Sequence, residues 1–157
     1  MLSKSQEKHL LQTYFNTKNS KNIPTHISQF GAPDADTDDA TLFFITKYVN
    51  SIDRLVLRGS FVTADGLQLL KKITQVYFLD LGSMALNDDN LDCILHLTML
   101  EELHIRHTEV SVNAAEMLLK NFPHLNSFGV HLYEADMPRG EAWKETYPNC
   151  EFILSRR

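Results

Sequence analysis

A beat of 24 or 25 residues constrains this chain more than any other feature. Four segments superimpose along it: Ile52-Asp-Arg-Leu55-Val-Leu57, Val76-Tyr-Phe-Leu79-Asp-Leu81, Leu100-Glu-Glu-Leu103-His-Ile105 and Leu125-Asn-Ser-Phe128-Gly-Val130. A further step reaches Phe152, in Asn149-Cys-Glu-Phe152-Ile-Leu154. Short runs with alternating apolar residues predict strands with one buried face. Self-similarity at a fixed step predicts stacked units, each burying its apolar side against the next. The intervening segments repeat as well. Val62, Leu86, Val110 and Ala135 each lie five residues beyond a strand's last apolar position, and Thr63, Asn87, Ser111 and Asp136 follow them. Those four are residue types whose side-chain oxygen caps a helix N-terminus. Behind them, Leu67 and Leu70, Leu91 and Ile94, Ala115 and Leu118, and Trp143 fall where a helix would bury them. Each unit predicts a strand, a tight corner, a short capped helix and a return loop.

These residues resemble the leucine-rich repeat family, whose L-x-x-L-x-L units run to about 20 to 29 residues. The likeness is closer to ribonuclease-inhibitor and F-box-associated repeats, and to bacterial repeats of the form L-x-L-x-x-T-x-V-[TS]-D. That form is visible in Leu103-His-Ile105-Arg-His-Thr108-Glu-Val110-Ser111 and in Leu55-Val-Leu57-Arg-Gly-Ser60-Phe-Val62-Thr63. Tyr147-Pro148-Asn149-Cys150-Glu151-Phe152 is similar to the run that ends many such bacterial arrays. The resemblance covers residues 52–154 and implies an α/β leucine-rich-repeat solenoid. Parallel strands joined by helices coil right-handedly. The expected architecture is a parallel concave sheet of about five strands, about 24 Å across at the usual strand spacing. Helices would cover the convex face. The chain departs from the family where Asn, Cys or Thr usually follows the strand, having Ser60, Met84, Thr108 and Tyr133. Met84 and Tyr133 predict irregular corners after the second and fourth of these strands.

Residues 52–157 are read as the repeats with a C-terminal cap and residues 1–51 as an N-terminal helical capping region, together one domain of 157 residues. Leu10, Leu11, Tyr14 and Phe15 predict one helix, and Leu42, Phe43, Ile45 and Val49, capped by Thr37 or Asp38, a second. Between them, Ile23–Phe30 reads as an edge strand, the position Pro24 tolerates. Cys93 and Cys150 are too few for a disulfide scaffold and read as free thiols of a reducing compartment. No run approaches the apolar length of a bilayer span. Met1–Lys8 leads into only Leu10-Leu11, and no Arg precedes Arg54, so neither a secretory nor a mitochondrial leader is expected. A cytoplasmic monomer is the expectation. The net charge of −5 and pI near 5.8 argue against a nucleic-acid partner.

Alternation along each strand decides which side chains leave the core. The outward set is Arg54, Val56 and Arg58, then Phe78, Asp80 and Gly82, then Glu102, His104 and Arg106, then Ser127, Gly129 and His131. Phe78 stands where a polar residue is the default, and exposed aromatics anchor interfaces. Arg58, Arg106 and His131 make a basic edge beside acidic Asp80 and Glu102. Gly82 and Gly129 are expected to leave room for a partner. The predicted partner-binding set is Arg54, Val56, Arg58, Phe78, Asp80, Glu102, His104, Arg106 and His131. Against it stands simple pairing of opposite charges between neighbouring strands.

The chain has no phosphate-binding, dinucleotide-binding, hydrolase-elbow or zincin motif, so no cofactor, metal or catalytic residue is expected. Asn87-Asp88-Asp89-Asn90 lacks the spacing of a calcium loop. The expected function is a non-catalytic interaction module that holds a protein or peptide on its concave face. Narrower versions are an inhibitor or immunity protein, an assembly factor acting by occlusion, or a bacterial effector. An enzyme using Asp80 and His104 ranks last.

Overall fold

In the computed structural model, which describes residues 2–157, the chain is α/β with one six-stranded parallel sheet. The strands are β1 (His26–Gly31), β2 (Ser51–Val56), β3 (Gln75–Asp80), β4 (Glu102–His104), β5 (Ser127–Leu132) and β6 (Glu151–Arg156). They lie side by side in chain order, with β1 and β6 at the two edges. The helices are α1 (Lys4–Phe15), α2 (Asp39–Tyr48), α3 (Ala64–Leu67), α4 (Val112–Asn121) and α5 (Met137–Thr146). The sheet has one strand more than the sequence predicts, because β1 continues the ladder, aligning Phe30 with Leu55. The N-terminal region is therefore not a purely helical cap: it supplies a strand and the α2 crossover behind it.

Backbone pairing aligns Leu55, Leu79, Leu103, Phe128 and Phe152 across successive strands. The first four are fully buried and share one core with Leu42 and Ile45 of α2, Leu67, Leu70, Ala115, Leu118 and Trp143. The helices therefore pack on the sheet face that carries this row. Ser3 caps α1 in a reciprocal box with Gln6, Asp38 caps α2, and Thr63 and Ser111 cap α3 and α4. In α2, Phe44 rather than Phe43 is the buried ring. Its neighbours are Phe15 of α1 at 6.2 Å and Tyr48 at 5.4 Å, so docking of α1 decides which side of α2 is apolar.

Two units depart from the expected capped helix. Asn87 accepts from Asp89 N–H at 2.9 Å, and Asn90 accepts from Asn87 N–H at 2.8 Å. Such local side-chain bonds compete with helix formation, and only a 3₁₀ turn, Leu91–Cys93, follows. Asp136 makes no capping bond at the start of α5.

The corners repeat at backbone level. Asp34, Gly59, Ser83 and His107 all have positive φ, between 56° and 65°. The first three donate their N–H groups to the carbonyls of Arg58, Gly82 and Arg106, carrying the ladder beyond the strands. Gly59 is needed there twice over, since a Cβ would also lie 2.2 Å from Asp34 Oδ1. Met84 does not disturb its corner: its N–H donates to Leu81 O at 3.2 Å, as Ser60 N–H donates to Leu57 O at 3.1 Å. The corner at Tyr133 does differ, for β5 runs on to Leu132 without a left-handed residue and Tyr133 is exposed.

Truncating the central core row leaves a cavity that a rigid stack fills poorly. Leu79→Ala is expected to cost about 2–5 kcal/mol, read as a lower urea midpoint at unchanged slope.

Candidate functional site

The face opposite the helices is ordered by the same pairing. Arg54, Phe78, Glu102 and Ser127 are successive partners, as are Val56, Asp80, His104 and Gly129. These are the rows that alternation in the sequence predicts. Two buried apolar residues, Val56 and Phe78, stand outside the core, on this face.

Phe78 is not the exposed anchor that the sequence suggests. Only 9% of it is accessible. The Arg54 guanidinium lies 3.5 Å over its ring centroid, and His104 meets it edge-on at 5.3 Å. A cation stacked on an aromatic face is held by the ring quadrupole, so the group offered to solvent is Arg54. Val56, 3% exposed, is likewise covered. The glycines do not leave vacancies. A Cβ at Gly82 would meet the Arg58 stem and Asp80 Oδ1, each at 3.1 Å, and one at Gly129 would meet the His104 ring at 3.3 Å. Neighbouring long side chains have folded over them.

Asp80 is 7% exposed, and its Oδ1 accepts from Gly82 N–H at 2.9 Å. Its Oδ2 lies 3.8 Å from Arg58 Nε. That is an ionic contact too long for a hydrogen bond, and Arg58 Nε is buried without a hydrogen-bonding partner. His104, beside Asp80 on β4, has a buried Nε2 that is also unpartnered. Among the described residues no hydrogen bond joins Asp80 to His104, so the oriented imidazole of an acid–base dyad is not assembled. Burial holds the His104 pKa below the ordinary histidine range, although Asp80 pulls the other way.

His131 is buried, with its Nδ1 3.0 Å from His107 Nδ1 and its Nε2 against the Arg156 carbonyl. A carbonyl only accepts, so His131 carries its proton on Nε2 and His107 Nδ1–H donates to His131. His131 thus ties β5 to β6 and to the β4 corner rather than adding to a basic edge.

The remaining charges are uncommitted. Lys47 pairs with Glu7, Lys71 with Asp92, Arg139 with Glu116 and Lys144 with Glu141, all away from this face. The ion pairs among the described residues include none of Arg54, Glu102 and Arg106. Simple cross-strand pairing therefore does not account for these side chains. Beyond the strand ends, Arg58, Arg106, His107, Ser83 and Asp34 line a shallow cleft of about 290 Å³. Sequence reasoning missed Asp34, Ser83 and His107. Steps of 24 between positions 59, 83 and 107 were the available signal, hidden because the residue types differ.

Among the described residues no group of three or more His, Cys, Asp or Glu side chains is placed to hold a metal ion. No helix there is long and apolar enough to cross a membrane. No known family model matches the chain, and no curated protein matches it.

A depressed His104 pKa has a signed consequence. Between the unfolded value, about 6.5, and the lower folded value, the unfolded chain binds more protons, so stability falls as pH falls through that window. Urea unfolding is expected to show this loss in the wild type and a smaller one in His104→Gln. NMR titration of His104 is expected to give a midpoint below the ordinary histidine value, about 6.5.

Proposed function

We propose that this chain is a short leucine-rich-repeat solenoid that acts as a non-catalytic protein-binding module in the cytoplasm. Its partner would be a protein or peptide seated on the sheet face opposite the helices. One observation carries the reading. Arg54 and Glu102 hold fixed register positions on that face, and neither of them nor Arg106, just past the end of β4, enters an ion pair among the described residues. The 24- or 25-residue step, the parallel ladder in chain order and the left-handed corners support the repeat assignment.

The mechanism would be recognition by a surface largely ordered beforehand. Arg54 rests on Phe78, and Phe78 rests against His104, so Arg54 already occupies a defined position. Binding then loses less side-chain entropy than it would with a freely moving arginine. Arginine is also weakly hydrated for a cation, which lowers the cost of drying it at an interface. Val56 and Phe78 supply the apolar bed beneath the charges. Occlusion of an enzyme and bridging in an assembly are both compatible with such a face.

Charge reversal tests the reading. Arg54→Glu and Glu102→Lys, made separately, are expected to keep the wild-type circular dichroism and unfolding midpoint. Each is expected to reduce at least tenfold the recovery of the protein that wild-type bait enriches from its native lysate, about 1.4 kcal/mol of binding. Lys120→Glu, at an exposed position of α4, is expected to leave recovery unchanged. Equal recovery by both face variants would move the interface elsewhere.

A further inference from the structure

The cleft beyond the strand ends has a composition that selects a ligand. Arg58 and Arg106 supply two guanidinium groups, Asp34 one carboxylate, and Ser83 and His107 polar walls. Asp80 Oδ2 lies 3.8 Å from Arg58 Nε, an ionic contact without a hydrogen bond. Among the described residues, the terminal guanidinium nitrogens of Arg58 and all those of Arg106 lack an acceptor. His107 lends its Nδ1–H to His131, which anchors the ring on one side of the cleft. Three of the five lining residues, Asp34, Ser83 and His107, are the left-handed corner residues, two of them held by ladder bonds to Arg58 and Arg106 carbonyls. The walls of the cleft are thus set by backbone geometry.

We propose that this cleft binds one carboxylate side chain, Asp or Glu, from an acidic segment of the protein partner. The inference rests on the sheet face being an interface and adds the chemistry recognised at its rim. Guanidinium forks match the two oxygens of a carboxylate. Asp34 and Asp80 already oppose the two arginines, so the unfilled guanidinium donors rather than a surplus of charge select the ligand. A single carboxylate adds one negative charge beside Asp34 and Asp80, whereas a phosphate dianion adds two and is repelled more strongly. The volume of about 290 Å³ suits one side chain, lying just below the usual range for whole small-molecule pockets.

The test follows the arginine Nε–H resonances of the full chain by NMR. The probe is the peptide acetyl-Gly-Gly-Glu-Gly-Gly-amide, compared with its Gln counterpart, sodium acetate and inorganic phosphate at equal ionic strength. The Glu peptide is expected to shift Arg58 and Arg106 saturably in the millimolar range, acetate less, and the Gln peptide not at all. Arg106→Gln is expected to abolish saturation. Asp34→Asn, which suits a left-handed corner, is expected to tighten binding about threefold by removing the opposing charge. A gain of affinity cannot come from misfolding. Equal shifts from the Gln peptide, acetate as strong as the Glu peptide, phosphate binding more tightly, or no gain from Asp34→Asn would each overturn the proposal. Arg54 and Glu102 lie outside the cleft. Loss of partner capture on reversing them, without a Glu-specific shift here, would sink the carboxylate site and leave the interface standing.

Discussion

Parallel backbone pairing at a nearly constant step is the constraint on which the rest of this structure depends. Each strand's N–H and C=O groups must be met by the neighbouring strand, because unpaired backbone groups are costly once buried. Pairing at 24- or 25-residue offsets meets that demand and brings equivalent positions side by side. Leu55, Leu79, Leu103 and Phe128 thereby become one continuous apolar row, and Arg54, Phe78, Glu102 and Ser127 another on the opposite face. A slip of one residue would exchange the two faces. The core therefore enforces the arrangement of the surface.

Much of this was legible in the sequence, and the exceptions have physical causes. Apolar spacing alone placed the later strands and both rows, and residue type identified Ser111 and Thr63 as caps. Spacing cannot say whether an edge strand will pair, so β1 was readable as a strand but not as part of the ladder. It also cannot see which side of a helix another helix will cover, which is why Phe44 displaces Phe43. Asn87 had the right chemistry for a cap, but Asn90 three residues later gave the backbone a competing turn.

The candidate site was legible as positions rather than as contacts. The register of every residue assigned to the open face follows from alternation. What each side chain does there depends on neighbours in three dimensions. Phe78 was expected outward and is outward, but Arg54 and His104 cover it. Gly82 and Gly129 looked like spaces, yet Arg58 and His104 fill them. His131 leaves the basic edge because the Arg156 carbonyl and His107 satisfy both its nitrogens. The resulting face is a layer of cations and acids supported by a thin apolar bed.

The account turns on that face being ordered before anything binds. The most direct measurement is the NMR order parameter of the Arg54 guanidinium in the isolated protein. Stacking on Phe78 is expected to give a value near that of rigid backbone, about 0.85, with a marked fall in Phe78→Leu. A value below about 0.6 in the wild type, unchanged by the substitution, would contradict it, since Arg54 would then be a solvated side chain with no fixed place on the surface.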